Sequence, residues 1–598
     1  MKISLFFVLL LAPFVAAQQS PNLVQQTVIV TGTAEPVMLA DSPRAVVVLN
    51  TEDHPLAFET PEDYLRTDPS TFIEQRGAGG AQSDISIRGS SFEQTLVLIN
   101  GLRINDAQTS HHNLDLPIPL ESMRNIEILH GAGSTLYGSD ALGGVVNFLT
   151  AVPTTDSLTL RAGAGSFGEN EQSVLASYVR KKFTEQLTAT RNFSTGFIPD
   201  RDYRNETASS ETRIPTKLGI TDILLAGSDR AFGADQFYGP YNSWERTKGW
   251  FSSISQELGA KTQAAFGYRR HADNFILLRN DPSYYANNHN DASWQAVLRR
   301  HDAVTKTATL AYGLEFNGDS IDSNNLGIHA RNQGAGYLDL DLRSHLFGRQ
   351  ASLTAGAREE ILSGGARSVF SPDLAGSFWL TQSIKLRASG GYGFRLPTYT
   401  DLYYSDPTTI GNANLKPESA WSADGGLDWY ANSKTAASLT IFYSRQHDAI
   451  DYVRANESQP WQAANLSGLR FTGVETSLLY QPTKNQTIKL GWTLINGAQK
   501  ALHGLESEYV FNYPVNNASF EYTASVKEKF LIRTRVAITQ RYQTDPYPVW
   551  DTELARERGW LRPYLRMANL SNTGYQEIQD IPMPGRSFTG GIEFSWSK

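Results

Sequence analysis

From Pro153 to the C-terminus the chain alternates apolar and polar positions with a period of two. In SLTLRAGAG, Leu158, Leu160, Ala162 and Ala164 share one face, opposite Thr159 and Arg161. In ASLTIFYS, Ala437, Leu439, Ile441 and Tyr443 alternate with Ser438, Thr440 and Phe442. In KFLIRTRVAIT, Ile532, Val536 and Ile538 lie opposite Arg533 and Arg535. Side chains of a strand point to opposite faces in turn, so each segment is a strand with one apolar side. Arginines opposite the apolar side suit lipid outside and water inside. A soluble sandwich also alternates, but over only about 100 residues. The pattern predicts about 22 antiparallel strands from about Ser157 to Trp596, closed into a transmembrane barrel.

The stretch before it is of another kind. Leu96 to Ile99 and Ile126 to Leu129 have the length and branching of buried strands. Around them Gly101, Gly131, Gly133, Gly138, Gly143 and Gly144 suit turns and close backbone approach. Thr60-Pro61 opens a short helix through Leu65, with an N-cap and a proline in its first turn. The whole is an all-β fold: a 22-stranded antiparallel barrel (151–598) closed by an N-terminal α+β plug (34–150).

The N-terminus supplies a route. Lys2, the apolar run Ile3 to Phe14 and the small residues Val15-Ala16-Ala17 form a secretory signal peptide over 1–17. The apolar run is too short to span a membrane comfortably. Residues 18–33 form a periplasmic arm, and within it Thr27-Val28-Ile29-Val30-Thr31 is a β-prone run outside any domain. An exposed run of this kind is a template for strand addition by a partner.

Composition narrows the function. Hydrophobic residues make up 40%, charged residues 19% and aromatics 11%, a mix that suits a lipid-facing barrel with aromatic girdles and excludes disorder. A net charge of -8 gives no basic footprint for nucleic acid. The absence of cysteine removes disulfides, thiolate metal sites and thiol catalysis. The sequence holds no G-x-S-x-G, H-E-x-x-H or phosphate-loop motif. Its one G-x-G-x-x-G, Gly163 to Gly168, lacks a βαβ context and reads as a hairpin turn.

Polar, aromatic connections are expected at 194–205, 232–244, 279–290, 396–417 and 456–461, facing outward as ligand-gathering loops. Tyr238, Tyr284 and Tyr285 on them, with Arg103, Asn105, His111 and His112 on a plug loop, are the candidate ligand contacts. His111 and His112, adjacent in an extended loop, point opposite ways and do not share one metal. No cofactor is required. Asp200, Asp202 and Glu206, with Asp235, offer oxygen ligands for a structural calcium, against the reading of solvated loop charge.

Several of these stretches carry a family resemblance. SDISIRGSSFEQTLVLINGLRIND and NIEILHGAGSTLYGSDALGGVVNFLT resemble the plug of TonB-dependent outer-membrane receptors. GYGFRLPTYTDLYYSDPTTIGNANLKPESAW, NLSGLRFTGVETSLLY and LRMANLSNTGYQEIQDIPMPGRSFTGGIEFSW resemble their barrel strands. The final residue is Lys598 where the family usually has an aromatic, which leaves Phe594 and Trp596 as the assembly signal.

The resemblance implies an active importer in the outer membrane of a Gram-negative bacterium. It would act as a monomer in outer-membrane lipid and take up a small-molecule ligand. QTVIVTGT would be the box pulled by the inner-membrane TonB energy complex. The resemblance also implies a latch of two plug arginines and two barrel glutamates, of which this chain keeps Arg88 and Glu475 and replaces the others by His130 and Asp424. YGSDALGGVVNFLT and the HHNLDLPIPLESM loop are most similar to cobalamin receptors, with ferric siderophore receptors as the alternative. Haem receptors usually carry a histidine where 398–411 has none. A passive porin needs neither plug nor box, and a barrel enzyme needs a catalytic set that the sequence does not display.

Overall fold

The computed structural model describes residues 27–33, 35–363, 367–498, 502, 504–510, 512–527 and 529–598. The expected signal peptide, 1–17, and the arm as far as 26 lie outside the described residues. Twenty-two antiparallel strands close into one barrel, the first, Ser157–Gly165, pairing with the last, Ser587–Ser597. The register sets Leu158 beside Trp596 and Leu160 beside Phe594, so the aromatic C-terminal strand completes the seam.

The alternation read from the sequence is the alternation of faces. On Phe530–Arg541, Ile532 and Ile538 are exposed on the outer wall while Arg533 is 4% exposed in the lumen. There its guanidinium meets Glu521 at 2.6 Å and Glu553 at 2.9 Å, and lies over the ring of Phe58 of the plug. Leu439, Ile441 and Tyr443 face outward, and Thr440 and Phe442 inward. Among the described residues no helix is long and apolar enough to cross a membrane.

The plug fills the lumen. A mixed sheet runs in the order Val46–Asn50, Met123–His130, Gly144–Thr150, Thr95–Ile99, Leu102–Arg103, with 95–99 parallel to 144–150. A hairpin, Thr71–Gln75 with Ser83–Ile87, and the helices Pro61–Leu65 and Ser134–Tyr137 complete it. Val97, Ile99, Ile126, Ile128, Val146 and Phe148 are wholly buried at its centre, and the same cluster continues into Leu224, Phe251 and Leu531 of the barrel wall. Gly144 is required by this packing, because a Cβ there would stand 2.5 Å from the carbonyl oxygen of Leu129. Gly138, at φ +76°, lies where a Cβ would strike Glu360 and Arg358 of the wall.

The outer connections differ from expectation. Within 232–244 the strands run to Asp235 and restart at Asn242, so the turn between them is short. Within 279–290 the next strand begins at Ala286. Polar lumen-facing residues near the top of a strand look like loop in a sequence. The expected loop at 456–461 instead leads into an extracellular sheet of Thr409–Ile410, Trp461–Leu466, Ala449–Arg454 and Glu506–Ser507. Of Gly163 to Gly168, the first three residues end the strand Ser157–Gly165 and Ser166–Gly168 make the hairpin turn into Asn170–Val179.

Candidate functional site

Arg88 leaves the hairpin strand Ser83–Ile87 with φ +56°, a conformation that aims its side chain across the plug surface at the wall. It meets Glu475 in a fork, Nε to Oε1 at 2.8 Å and Nη2 to Oε2 at 2.7 Å, and donates from Nη1 to Asp424 at 3.1 Å. Glu475 faces inward because its strand, Leu469–Thr483, alternates and turns Val474 away. His130 ends the sheet strand Met123–His130 with Nδ1 at 3.3 Å from Glu475 and Nε2 at 2.8 Å from Asp68. The four positions Arg88, His130, Asp424 and Glu475 thus form one buried network across the plug–barrel boundary. Asp424 is shared with Ser389 and Arg387, at 3.0 and 3.5 Å.

A planar guanidinium held bidentate by a carboxylate is a strong, directional contact, and breaking it from one side strands a buried charge. Burial pulls the His130 imidazole down, but Asp68 and Glu475 outweigh it and hold the ring up at about 9. The imidazolium therefore stands in for a second arginine. Asp68 adds a second carboxylate to the same ring, beside Glu475.

The segment expected to be the coupling box, Thr27 to Thr31, is not free. Val28–Ile29 pairs with Val37–Met38, burying Ile29 and Thr31 while Val28 and Val30 stay exposed. Glu127 of the plug sheet accepts from the amides of Val30 at 2.9 Å and Thr31 at 2.7 Å. Asn147 donates to the Thr31 hydroxyl at 3.0 Å, and Leu39 N–H bonds the carbonyl of Thr27 at 2.6 Å. The expectation of a run outside any domain is corrected: a β-prone run beside a buried carboxylate satisfies its amides there. Burial pushes the Glu127 carboxyl above its usual range, against the pull of those two amides.

On the outer side the candidate contacts separate. Tyr284 is exposed on the 277–285 connection, and Tyr285 beside it is half-buried. Tyr238 is partly exposed and donates to Gln82 of the plug and Glu245 of the wall. His111 stacks on Phe92 and pairs with Asp84 at 2.8 Å, next to Tyr509 of the outer cap. Arg103 is half-buried, bonded to Asp140 at 2.5 Å and to the carbonyls of Tyr137 and Ser139. Two candidates are engaged elsewhere. Asn105 is buried and spends its side chain on the backbone of Thr95 and Val97. His112 is buried between plug and wall, opposite His271, because the adjacent histidines do point apart.

The calcium candidates are also differently engaged. Asp200 and Asp202 face Arg279, with contacts of 3.1 and 2.5 Å, so a guanidinium already supplies the charge expected of calcium. Asp235 offers its backbone carbonyl to Arg201, and Glu206 lies 3.4 Å from Arg191.

Plug, wall and docked segment are recognisable as a family. TonB dependent receptor-like, beta-barrel matches residues 149–588, and TonB-dependent Receptor Plug Domain matches residues 39–145. This chain is a TonB-dependent receptor. The receptor is 25% identical over 466 residues to the Vitamin B12 transporter BtuB of Vibrio vulnificus, covering 73% of this chain and 72% of that one. It is 24% identical over 552 residues to the Iron-regulated outer membrane virulence protein of Vibrio cholerae, covering 81% and 80%. Among solved structures the copper transporter OprC superposes with a TM-score of 0.77 at 16% identity, over 92% of this chain and 98% of that one. The siderophore receptor PirA from Pseudomonas aeruginosa gives 0.72 at 18% identity, over 92% and 99%. At those identities the structural likeness is one of fold. The family comprises outer-membrane receptors and transporters of Gram-negative bacteria, not enzymes.

Four features of the receptor's site escaped the sequence. Asp68, Glu127 and the Arg387–Ser389 pair are distant in sequence from what they contact. Arg395, fully buried, binds Glu93 of the plug at 2.7 Å and Asp401 at 3.0 Å and also contacts Glu418. Its signal was present, since it is the arginine of the GFRLPT stretch.

Proposed function

We propose that the receptor captures cobalamin outside the cell and imports it into the periplasm. Force for the movement comes from the inner-membrane TonB complex pulling on residues 27–31. The observation that carries active import is the pairing of a buried, charge-locked plug with a coupling segment held by hydrogen bonds. A lumen filled by such a plug passes nothing of cobalamin's size unless work is done on it. Cobalamin is favoured over a ferric siderophore by the relatives, several of which are named vitamin B12 transporters at 23 to 26% identity. Tyr238, Tyr284, Tyr285 and His111 are the side chains placed to touch it, with Arg103 behind them. The working unit is a monomer in outer-membrane lipid, delivered by a signal peptide cleaved after Ala17. Calcium enters this scheme only by displacing Arg279 from Asp200 and Asp202.

Equilibrium binding of radiolabelled cyanocobalamin to the purified receptor, against a panel of ferric siderophores, tests the ligand. Saturable cobalamin binding that siderophores do not compete supports it, and saturable binding of a siderophore alone refutes it. Uptake by cells whose receptor lacks residues 27–33 tests the coupling, and undiminished uptake would make the protein a passive pore.

A further inference from the structure

Between the plug loop and the outer halves of three wall strands lies a cluster that neither latch nor coupling segment uses. His112 and Asp115 come from the plug, Glu245 from Asn242–Glu257, His271 and Asp273 from Thr262–Ile276, and Asp291 from Ala286–Ala303. Asp106 joins them from the plug, and all seven are buried. His112 Nδ1 and His271 Nε2 each lie 3.5 Å from the same oxygen, Asp115 Oδ2. The ligand atoms of these three residues all fall within 4.8 Å of one another.

Those separations are long for charged hydrogen bonds, which close to ~2.7–2.9 Å. They match the edge of a tetrahedron around a metal with bonds of ~2.0–2.2 Å, which is ~3.3–3.6 Å. Among the described residues neither ring nitrogen of His271 has an aligned hydrogen-bond partner although the residue is wholly buried, and nor do Asp273 Oδ1 and Asp291 Oδ1. Nδ1 of His271 lies 2.8 Å from Asp106 and 3.4 Å from Asp291, out of alignment but placed to give its proton to a carboxylate. Nε2 of His112 faces Glu245 at 3.5 Å and Asp273 at 3.7 Å. Each imidazole thus has one nitrogen toward Asp115 and the other toward carboxylates, the orientation that metal-bound histidines adopt.

Charge points the same way. Asp106, Asp115, Glu245, Asp273 and Asp291 face two guanidiniums: Arg269, at 2.6 Å from Asp106 and 2.8 Å from Asp291, and Arg230, at 3.5 Å from Asp115. Gln108 and Thr247 donate to Asp273 and Asp115, and His289 is held by Ser323. Two imidazoles complete the positive side of the cluster, and when they give up their protons to bind a metal the ion's charge takes the place of theirs. A cavity bordered by Asn105, Asp106, Ser110, Arg269, Trp294 and Asp319 adjoins the cluster at Asp106 and Arg269.

We infer that His112, Asp115 and His271 bind a divalent metal ion of the zinc type across the plug–barrel seam. Two imidazoles and one carboxylate suit zinc, nickel or copper better than calcium or magnesium. Ligands from both plug and wall make the ion a tie between them.

The full-length receptor in detergent, stripped with a chelator, would be titrated with Zn2+ alone by calorimetry and with Co2+ by visible absorption. One ion per chain and the intense bands of tetrahedral Co2+ are expected. His112→Gln, His271→Gln and Asp115→Asn should each weaken Zn2+ binding at least ten-fold, and His345→Gln, on an exposed wall position, should not. Heat-modifiable mobility on gels checks that each variant barrel is folded. Wild-type protein that binds no Zn2+ stoichiometrically overturns the inference without any variant. So does a preference for Ca2+, or folded His112→Gln and His271→Gln variants that bind as wild type does.

Discussion

Raising the pH should loosen the plug, and His130 sets the size of the effect. Its ring is at about 9 when docked, against 6.5 for a free imidazole. Asp68 belongs to the plug itself, so the reference is the unfolded plug: a group whose pKa is raised on folding stabilises the folded, docked plug fully below its free value and loses that stabilisation as pH rises through the folded value. The window is therefore about pH 6.5 to 9, and the difference corresponds to ~3 kcal/mol. Asp68, Glu475 and, through Glu475, Arg88 and Asp424 face the ring. The assay is amide hydrogen exchange across residues 83–99 at a series of pH values, expressed as protection relative to the free peptide. Protection should fall by about two orders of magnitude between pH 6.5 and 9.5 in wild type. In His130→Asn it should start lower and change less, so the difference between proteins isolates this ring from His112. Protection that rises with pH, or an identical slope in the two proteins, would refute the reasoning.

Removing Arg88 or Glu475 alone should cost the docked plug ~3–5 kcal/mol in urea titrations, and the exchanged pair Arg88→Glu with Glu475→Arg should recover part of that; two single variants as stable as wild type would rule out the latch. Glu127→Ala frees two box amides and should cost ~1–3 kcal/mol of box docking, read as faster proteolysis near Val30 with the barrel intact. Tyr284→Ala with Tyr285→Ala should weaken ligand binding without changing the barrel's melting, and unchanged affinity would remove both from the site.

The barrel was legible because lumen and lipid impose a strict two-residue period, and Arg533 opposite Ile532 carries that rule in two adjacent residues. The latch was legible as four positions, yet its charge state was not, because Asp68 reaches His130 only once the hairpin and sheet have packed. The docked coupling segment was misjudged for the same reason: Glu127 reads as one acidic residue in an apolar strand until Val30 and Thr31 fold onto it. Connection lengths were overestimated because lumen-facing polar residues such as Ser243 and Asn287 resemble loop in a chain read locally. His271 had no signal at all, since its partners come from the plug and from the neighbouring wall strand.

The seam between Ser157–Gly165 and Ser587–Ser597 sets the order in which the molecule can be made. These two strands are the first and the last of the wall, so the ring cannot shut until the last of them has been made. The plug precedes the wall in the chain and is available while the two edges are still apart. Until Leu158 meets Trp596 and Leu160 meets Phe594, both edges carry unpaired amides and carbonyls, and closure removes the last of them.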